Sequence, residues 1–168
     1  MKEEENELWL TKVEPCPGES ISHFLGRFRR ARGNRFSAPG GLGDVAGLGT
    51  AISRWEKFYF SPFPTTEELE KLAKVVMLDV DRLREMFPYE SMVTQTKPIM
   101  LCALCYQESP YHRLEWQDKN KRGCNLHKVR LLSKCTNCGT PFPIPSMWVD
   151  GKCSHCYLPF IKMSKKQK

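Results

Sequence analysis

The chain has 168 residues, enough for one medium-sized domain or two small ones, with eight cysteines and a net charge of +7. It contains no apolar run of the about 18 residues that a membrane-spanning helix needs, and its acidic start, Met1-Lys2-Glu3-Glu4-Glu5, is unlike a secretory signal. We therefore expect a cytoplasmic protein whose cysteines bind metal in a reducing environment instead of forming disulfides.

Residues 1–18 form the first predicted element, an extended arm. Pro15 and Pro17 argue against a helix in this segment. Trp9 is flanked by leucines, one of which is Leu10. This arrangement favours a strand that packs onto the domain, and an anchor for a partner protein is the alternative, because tryptophan is favoured at interface hot spots. The sequence leaves both alternatives open.

An amphipathic helix is predicted to begin after Ser20, a residue type favoured at helix N-caps. Its apolar positions recur at intervals of three and four, which is the period of one helix face. Arginines crowd the end of this helix, where they either complement the helix dipole in solvent or contact phosphate or an acidic partner. The apolar positions are Ile21, Phe24, Leu25 and Phe28, and the arginines are Arg27, Arg29, Arg30, Arg32 and Arg35.

The next segment is predicted to be a turn followed by one helix. The sequence Pro-Gly-Gly-Leu-Gly at 39–43 is typical of a turn. The helix is expected from Asp44 to about Phe58, although Gly47 and Gly49 weaken its first turns. An aromatic connector that is rich in proline follows.

Two further helices are predicted before residue 88. The pattern Thr-x-x-Glu at 65–68 is a capping box, and the helix that it starts is expected to run to about Met77. A last helix is expected from Asp79 or Asp81 to about Met86. Helix, turn and helix at these lengths match a helix-turn-helix, although many small helical bundles share the pattern.

Four short pairs of potential metal ligands follow, each with two intervening residues. They lie at 102/105, 124/127, 135/138 and 153/156, in the order CxxC, CxxH, CxxC and CxxC. Each pair places two ligands on one tight turn, and a tetrahedral zinc ion needs two such pairs. We therefore predict two zinc ions. The predicted ligands are Cys102, Cys105, Cys124, His127, Cys135, Cys138, Cys153 and Cys156.

The ligand set predicts structural zinc and no enzyme activity. Sites closed by four protein ligands leave no position for a reactive water, and the residues from His112 to Glu115 lack the His-x-Glu spacing of a zinc deaminase. Sequential pairing of the four turns is the simplest arrangement, but a cross-braced arrangement would use the same residues. Cys16 lies outside the pattern and is expected to be a free thiol.

The charge is divided unevenly along the chain. Residues 1–96 contain 13 Lys and Arg against 15 Asp and Glu, whereas residues 97–168 contain 13 against 4. A basic zinc module suggests a polyanion such as nucleic acid as its partner, although a basic surface that serves only solubility is the alternative. Trp148 either covers the zinc cluster or stacks on a base. The candidate nucleic-acid contacts are Lys119, Lys121, Arg122 and Trp148.

These elements predict a mainly α fold with small zinc-binding modules, in three parts. Residues 1–96 contain the arm and a helix-turn-helix-like helical domain, which ends in a polar linker. Residues 97–160 contain tandem zinc fingers or ribbons, a CCCH site followed by a CCCC site. Residues 161–168, which are rich in lysine, are predicted to be a disordered basic tail.

Several stretches together resemble the TniQ family of transposition proteins. They are GESISHFLGRFRR at 18–30, YHRLEWQ at 111–117, CNLH at 124–127 and LLSKCTNC at 131–138. The resemblance covers nearly the whole chain. Its short length is similar to that of the compact TniQ of cyanobacterial type V-K CRISPR-associated transposons, whereas longer relatives have further C-terminal domains.

The resemblance implies a non-catalytic targeting adaptor in RNA-guided DNA transposition, located in a bacterial cytoplasm. Such adaptors link a CRISPR effector with its guide and tracr RNA to TnsC, an AAA+ ATPase that polymerises on DNA near the target site. We expect neither a membrane nor a small-molecule substrate as partner. The zinc half is expected to contact RNA or DNA, and the helical half with its arm is expected to contact protein. The candidate protein contacts are Trp9, Leu10, Arg27, Arg29 and Arg30.

A sequence-specific DNA-binding protein, similar to the TnsD-like relatives that select a target site, is the main alternative. It would use the helix-turn-helix to read a major groove. Against it, the clearest recognition-helix candidate, residues 66–77, carries three glutamates near its N-terminus. A groove-reading helix approaches DNA phosphates at that end, where acidic side chains would repel them. A transcription-factor-like zinc ribbon would explain the cysteine turns but not the motif at 18–30.

Overall fold

The computed structural model describes residues 10–168. Within this range the chain is mainly helical, and its backbone pairing is limited to isolated antiparallel bridges without a named strand. None of the described helices is long and apolar enough to cross a membrane. The α-helices are α1 (Ile21–Arg30), α2 (Pro39–Ala46), α3 (Ala51–Glu56), α4 (Thr66–Val76), α5 (Val80–Arg84) and α6 (Ala103–Glu108), and the 3-10 helices are Leu114–Gln117, Pro145–Met147 and Phe160–Lys166.

The predicted caps of α1 and α4 are confirmed. The Ser20 side chain accepts a hydrogen bond from the backbone N–H of His23 at the start of α1. At the start of α4, Thr65 and Glu68 form the reciprocal capping box. The last helix of this region, α5, begins after Asp79 as one of the two alternatives predicted, but it has only five residues and ends at Arg84 instead of near Met86.

The prediction of one helix from Asp44 to Phe58 is wrong, because the segment forms α2 and α3 with a sharp break between them. Pro39 begins α2 instead of lying in a turn, since proline is well tolerated at the first helical position. Gly47 and Gly49 have φ angles of 68° and 54°, in the left-handed region that glycine adopts without steric penalty. The two glycines therefore end α2 and turn the chain into α3.

The helical half, residues 10–88, has its own apolar core. The face of α1 that the sequence predicted is completely buried in this core, where α1 packs against α3. The edge of the Trp55 ring meets Phe87, with 5.1 Å between the ring centroids. The principal members of this core are Ile21, Phe24, Leu25, Phe28, Leu42, Ile52, Trp55, Leu69, Leu72, Val76, Leu83 and Phe87.

The cysteine-rich half, residues 97–168, has a second core in which most of the cysteines lie beside large aromatic rings. Phe58 belongs to this second core although it comes from the helical half, so the two cores are in contact. The aromatic members are Phe58, Tyr106, Trp116, Phe142, Trp148 and Phe160.

The predicted disordered tail at 161–168 differs from the structure, in which residues up to Lys166 continue the last 3-10 helix. Gln167 is 7 % exposed. Its side chain accepts a hydrogen bond from the Ala103 N–H and donates one to the Arg130 carbonyl, both at 2.9 Å. These bonds are far apart in sequence, so the lysine-rich composition gave no sign of them.

Candidate metal centres

The four ligand turns come together as two separate groups. Their sulfur and nitrogen ligand atoms all lie within 4.8 Å of one another inside each group. The grouping is the sequential one, and the turns are not cross-braced. The first centre consists of Cys102, Cys105, Cys124 and His127, and the second centre consists of Cys135, Cys138, Cys153 and Cys156.

Each ligand turn is built from local hydrogen bonds that follow from its spacing. In the first centre, Cys102 caps α6, and its sulfur accepts the N–H of Cys105 at 3.5 Å. The other turns are tight loops closed by backbone bonds, such as the Cys124 N–H to the Val129 carbonyl at 2.8 Å. Their first sulfur also accepts a backbone N–H, as Cys124 accepts that of His127 at 3.4 Å. The two intervening residues thus aim both ligands at one point.

The distances within each centre fit a tetrahedral zinc ion. Ligands about 2.3 Å (sulfur) and about 2.0–2.1 Å (nitrogen) from the metal lie about 3.6–3.8 Å apart at the corners of a tetrahedron. In the second centre the sulfurs of Cys138 and Cys153 are 3.5 Å apart. In the first centre, Nδ1 of His127 lies 3.7 Å from the Cys102 sulfur and 3.3 Å from that of Cys105.

The cysteines are not disulfide-bonded. All of them, including the half-buried Cys16, are free thiols. The closest sulfur pairs in the two centres are separated by 3.5 Å, whereas a disulfide bond is about 2.05 Å long. A metal ion between the sulfurs accounts for this spacing and a covalent bond does not.

The thiols of the two centres differ in their pKa values. A hydrogen bond with the Thr140 hydroxyl lowers the pKa of Cys138 to about 6, so this thiol is largely ionised at neutral pH. Burial raises the pKa of Cys135 to about 11, and burial together with its neighbouring cysteines raises the pKa of Cys105. Because metal ligands are thiolates, binding of a cation would release the protons of these thiols.

The metal centres have the composition of structural sites. Four protein ligands close each tetrahedron and leave no position for a water molecule. Five of the eight ligands are buried, whereas Cys138 is exposed and His127 and Cys156 are partly exposed. This arrangement holds loops in place, and it offers no open coordination site for a substrate.

The contact between the two halves, called the seam below, contains a network of polar side chains that the site predictions missed. His112 is completely buried, and its Nδ1 lies 2.9 Å from the Ser20 hydroxyl. Its Nε2 lies 3.3 Å from Oε1 of Gln117. Burial lowers the pKa of His112 well below 6.5, so this imidazole is neutral in the folded protein. The sequence did point to the residues of this network, since Ser20 lies in the motif at 18–30 and His112 and Gln117 lie in the motif at 111–117.

A second polar group lies at the start of α1, beside the seam. The Glu19 carboxylate is buried, 2.5 Å from Nδ1 of His23 and 2.6 Å from a guanidinium nitrogen of Arg27. Although burial acts to raise it, the hydrogen bonds with His23 and Arg27 lower the pKa of Glu19. The Glu19 charge is therefore compensated within the chain.

The three arginines predicted to bind a partner make bonds inside the chain. Arg27 pairs with Glu19, and Arg29 pairs with the buried Glu56 at 2.7 Å. The guanidinium of Arg30 donates to the backbone carbonyls of Ser146 and Trp148. Arg29 is 6 % exposed, so it offers little surface to another molecule. Arg30 remains exposed beyond its bonds.

The other candidate contacts are distributed between surface and interior. Leu10 is half-buried and packs against the helical core, and Trp9 lies outside the described residues. Trp148 is 4 % exposed, and its indole N–H donates to the Pro143 carbonyl at 2.9 Å. A base therefore has no access to the Trp148 ring. Lys119 and Arg122 are exposed, as the prediction of a basic loop requires.

Neither a scan of the chain against protein-family models nor a search of curated proteins finds a match.

Proposed function

We propose that this chain is a TniQ-like targeting adaptor for RNA-guided transposition, without catalytic activity of its own. In this proposal its cysteine-rich half holds two structural zinc ions and contacts the guide RNA of a CRISPR effector. Its helical half contacts the AAA+ ATPase TnsC that assembles on the target DNA. The observation that carries the proposal is a continuous basic face on the first centre.

The basic face follows two neighbouring shallow grooves of about 560 and 440 Å³, which share Arg130. Among the described residues, Lys121 is the one member of this face within ion-pair distance of a carboxylate, that of Glu115 at 3.3 Å. Cations without acidic partners attract the phosphates of nucleic acid and release counterions on binding. The members of the basic face are Lys121, Arg122, Lys128, Arg130, Lys166 and Lys168.

The folded end of the sequence enlarges this face. The Arg130 N–H donates to the Lys168 carbonyl at 2.9 Å. The Gln167 side chain, which accepts the Ala103 N–H, holds the same segment against the first centre. Lys166 and Lys168 are therefore held beside Arg130 before any partner arrives. A surface that is already ordered loses less conformational entropy on binding than a disordered tail would.

Two stretches that carry the family resemblance lie against each other at the seam, which also supports the proposal. The Ser20 N–H donates to the His112 carbonyl at 3.1 Å, and the Leu114 N–H donates to the Gly18 carbonyl at 2.9 Å. Motifs that are distant in sequence but share one interface are expected to have a common structural role. In this proposal they fix the orientation of the RNA-binding half relative to the protein-binding half.

Zinc is the metal that the ligand chemistry favours. Tetrahedral sets of cysteine sulfur with one or no histidine nitrogen are typical of zinc, and harder cations such as Mg²⁺ or Ca²⁺ prefer oxygen ligands. The sulfur spacing described above matches this geometry.

A sequence-specific DNA-binding protein is the second candidate, because α4 and α5 are separated by only residues 77–79, the spacing of a helix-turn-helix. Glu67 and Glu70 are exposed and Glu68 is partly exposed near the start of α4, and these carboxylates would repel phosphates there. In the adaptor proposal these helices support the helical core and do not read a DNA groove.

Co-sedimentation with TnsC filaments, assembled on duplex DNA with ATP, tests the adaptor function. We expect the zinc-loaded protein to pellet with the filaments and not with DNA alone. A Trp9→Ala variant tests whether the arm makes this contact. Tight binding to one duplex sequence, with a steep dependence on salt and no pelleting with TnsC, would favour the DNA-binding alternative.

RNA binding is tested separately by reversing charges on the cysteine-rich half. Replacing Lys119, Lys121 and Arg122 by Glu is expected to weaken guide RNA binding and to leave TnsC binding unchanged. The matched control reverses three exposed lysines of the helical half, and it should leave RNA binding unchanged. The opposite pattern would contradict the assignment of the two halves. The control residues are Lys57, Lys71 and Lys74.

A further inference from the structure

His127 is held from both sides of its imidazole ring. Its Nδ1 faces the first centre, 3.3 Å from the Cys105 sulfur and 3.5 Å from the Cys124 sulfur. Its Nε2 lies on the opposite side, 2.7 Å from Oε1 of Glu108. The neutral imidazole has one N–H and one lone pair, so the partner of one nitrogen decides what the other can do.

The ionised Glu108 carboxylate can only accept hydrogen bonds. A bond to Nε2 at 2.7 Å therefore places the ring proton on Nε2 and leaves the lone pair of Nδ1 facing the sulfurs. A metal-bound histidine typically donates its other N–H to a carboxylate or carbonyl, which fixes the tautomer and the ring orientation. The contact between Glu108 and His127 has this arrangement.

The local sequence places Glu108 where this contact requires it. Cys102 is the N-cap of α6, Cys105 lies within that helix, and Glu108 is its last residue. Because residues three apart are neighbours on a helix surface, this spacing places Cys105 next to Cys102 and Glu108 next to Cys105. The same short helix therefore presents two metal ligands and the carboxylate that orients a third.

We propose that Glu108 is a positioning residue for the first metal centre, which holds His127 in the tautomer and orientation that bind metal through Nδ1. The proposal deepens the metal-binding part of the proposed function and rests on it. It does not depend on the transposition role.

The alternative is that Glu108 and His127 form an ordinary ion pair on the surface. Their side chains are 63 % and 19 % exposed, and exposed ion pairs contribute little to stability. The two possibilities differ in what they predict for metal affinity. Removal of an ordinary surface pair would leave the metal affinity unchanged, whereas removal of a positioning contact would weaken it.

The second centre is an internal reference, because it contains four cysteines and no histidine. A cadmium ion placed in each centre reports both in one sample by cadmium NMR, since three sulfurs with one nitrogen give a signal distinct from that of four sulfurs. Titration with a competing chelator then yields a separate relative affinity for each centre. Glu108→Ala and Glu108→Gln are compared with the unmodified chain.

We expect Glu108→Ala to weaken cadmium binding at the first centre by about tenfold, the lower end of the range for such contacts, because Glu108 is exposed. The second centre should be unchanged. Glu108→Gln should retain most of the affinity, because its amide oxygen still accepts the Nε2–H. Nitrogen NMR of the unmodified chain should show His127 bound to metal through Nδ1 with the proton on Nε2.

Glu115→Ala is the matched control, because it removes a partly exposed carboxylate that pairs with Lys121 in the same half. It should leave cadmium affinity at both centres unchanged. Unchanged affinity in Glu108→Ala, equal weakening of both centres, or metal bound through Nε2 would overturn the positioning role. If the unmodified chain binds no cadmium at either centre, the proposed metal sites fail as well, so the two failures are distinguishable.

Discussion

The two halves of this molecule achieve a stable interior in different ways. In the helical half, α1, α3 and α4 bury apolar faces, and the buried core consists of aliphatic and aromatic side chains. In the cysteine-rich half, apart from α6, the backbone is mostly loops, 3-10 turns and isolated bridges. Its core contains cysteines among aromatic rings. A chain with so little regular structure needs cross-links, and the two groups of metal ligands could supply them.

Because of this difference, the two halves depend on different interactions for folding. Apolar burial stabilises the helical half by about 25 cal/mol for each Å² removed from water, without any cofactor. A structural zinc ion contributes about 10–16 kcal/mol of apparent binding energy to the loops that it joins. We therefore expect the two halves to respond to different perturbations. Any effect of one half on the other should pass through the seam.

Removal of metal is expected to have the largest effect. Chelation at neutral pH should unfold the cysteine-rich half, because about 10–16 kcal/mol per centre is lost. Near-ultraviolet circular dichroism from Trp116 and Trp148 should collapse, whereas most of the far-ultraviolet helical signal should remain, since α1 to α5 lie in the helical half. Loss of both signals together would show that the helical half cannot fold alone.

A cavity in the helical core is expected to have the next largest effect. Phe28 is completely buried, so Phe28→Ala should reduce the free energy of unfolding by about 3–5 kcal/mol. Metal affinity at both centres should change less than twofold, because none of the ligands contacts this core. Thermal unfolding and chelator competition measure the two quantities. Phe63→Ala is the control, since Phe63 is 45 % exposed, and an equal loss in the control would contradict the account.

A substitution at the seam tests how tightly the halves are packed. A Cβ atom at Gly26 on α1 would clash with the backbone of Ser146 in the cysteine-rich half. Gly26→Ala should therefore destabilise the protein by about 1–3 kcal/mol, although alanine ordinarily stabilises a helix by about 1 kcal/mol relative to glycine. Gly40→Ala in α2 is the control, because that position has open space. Stabilisation by both substitutions in thermal unfolding would contradict a close seam.

The buried imidazole of His112 predicts a smaller effect, which depends on pH. Its pKa in the folded state lies well below the unfolded value of 6.5, so the unfolded chain binds a proton that the folded chain excludes. Stability is therefore complete above about pH 6.5 and falls as the pH decreases, by at most about 1.4 kcal/mol per pH unit.

The comparison is between the unmodified protein and His112→Gln, each unfolded thermally from pH 7 to pH 5. Protonation of metal ligands affects both proteins alike, so the difference in slope isolates His112. The variant should show the shallower decrease in stability. Identical slopes would mean that the seam does not exclude the proton.

Local patterns predicted much of this structure, and contacts distant in sequence account for what they missed. Spacing within a few residues was sufficient for the ligand turns, for the Ser20 cap and for the capping box at 65–68. The break at Gly47 was underestimated, because helix propensity describes the cost of a glycine but not the left-handed turn that it permits. Composition described residues 161–168 as a tail, because the bonds of Gln167 to Ala103 and Arg130 connect positions that no local pattern joins.

The arginines of α1 show the same limit for function. The arginines at the end of α1 suggested an exposed binding surface, but Arg27 and Arg29 compensate buried glutamates that lie 8 and 27 residues away. A charged residue on a predicted helix can be assigned to a partner or to the interior only when its neighbours in space are known. The basic face is the converse case, because Arg130 and Lys166 become neighbours only through folding.

The metal content of the purified protein tests the central claim most directly, and native mass spectrometry measures it in one experiment. We predict that the folded chain carries two zinc ions and no disulfide bond, and that acidification releases both ions as the cysteine-rich half unfolds. A metal-free folded chain, or one whose mass shows the loss of hydrogens expected for disulfides, would contradict the account.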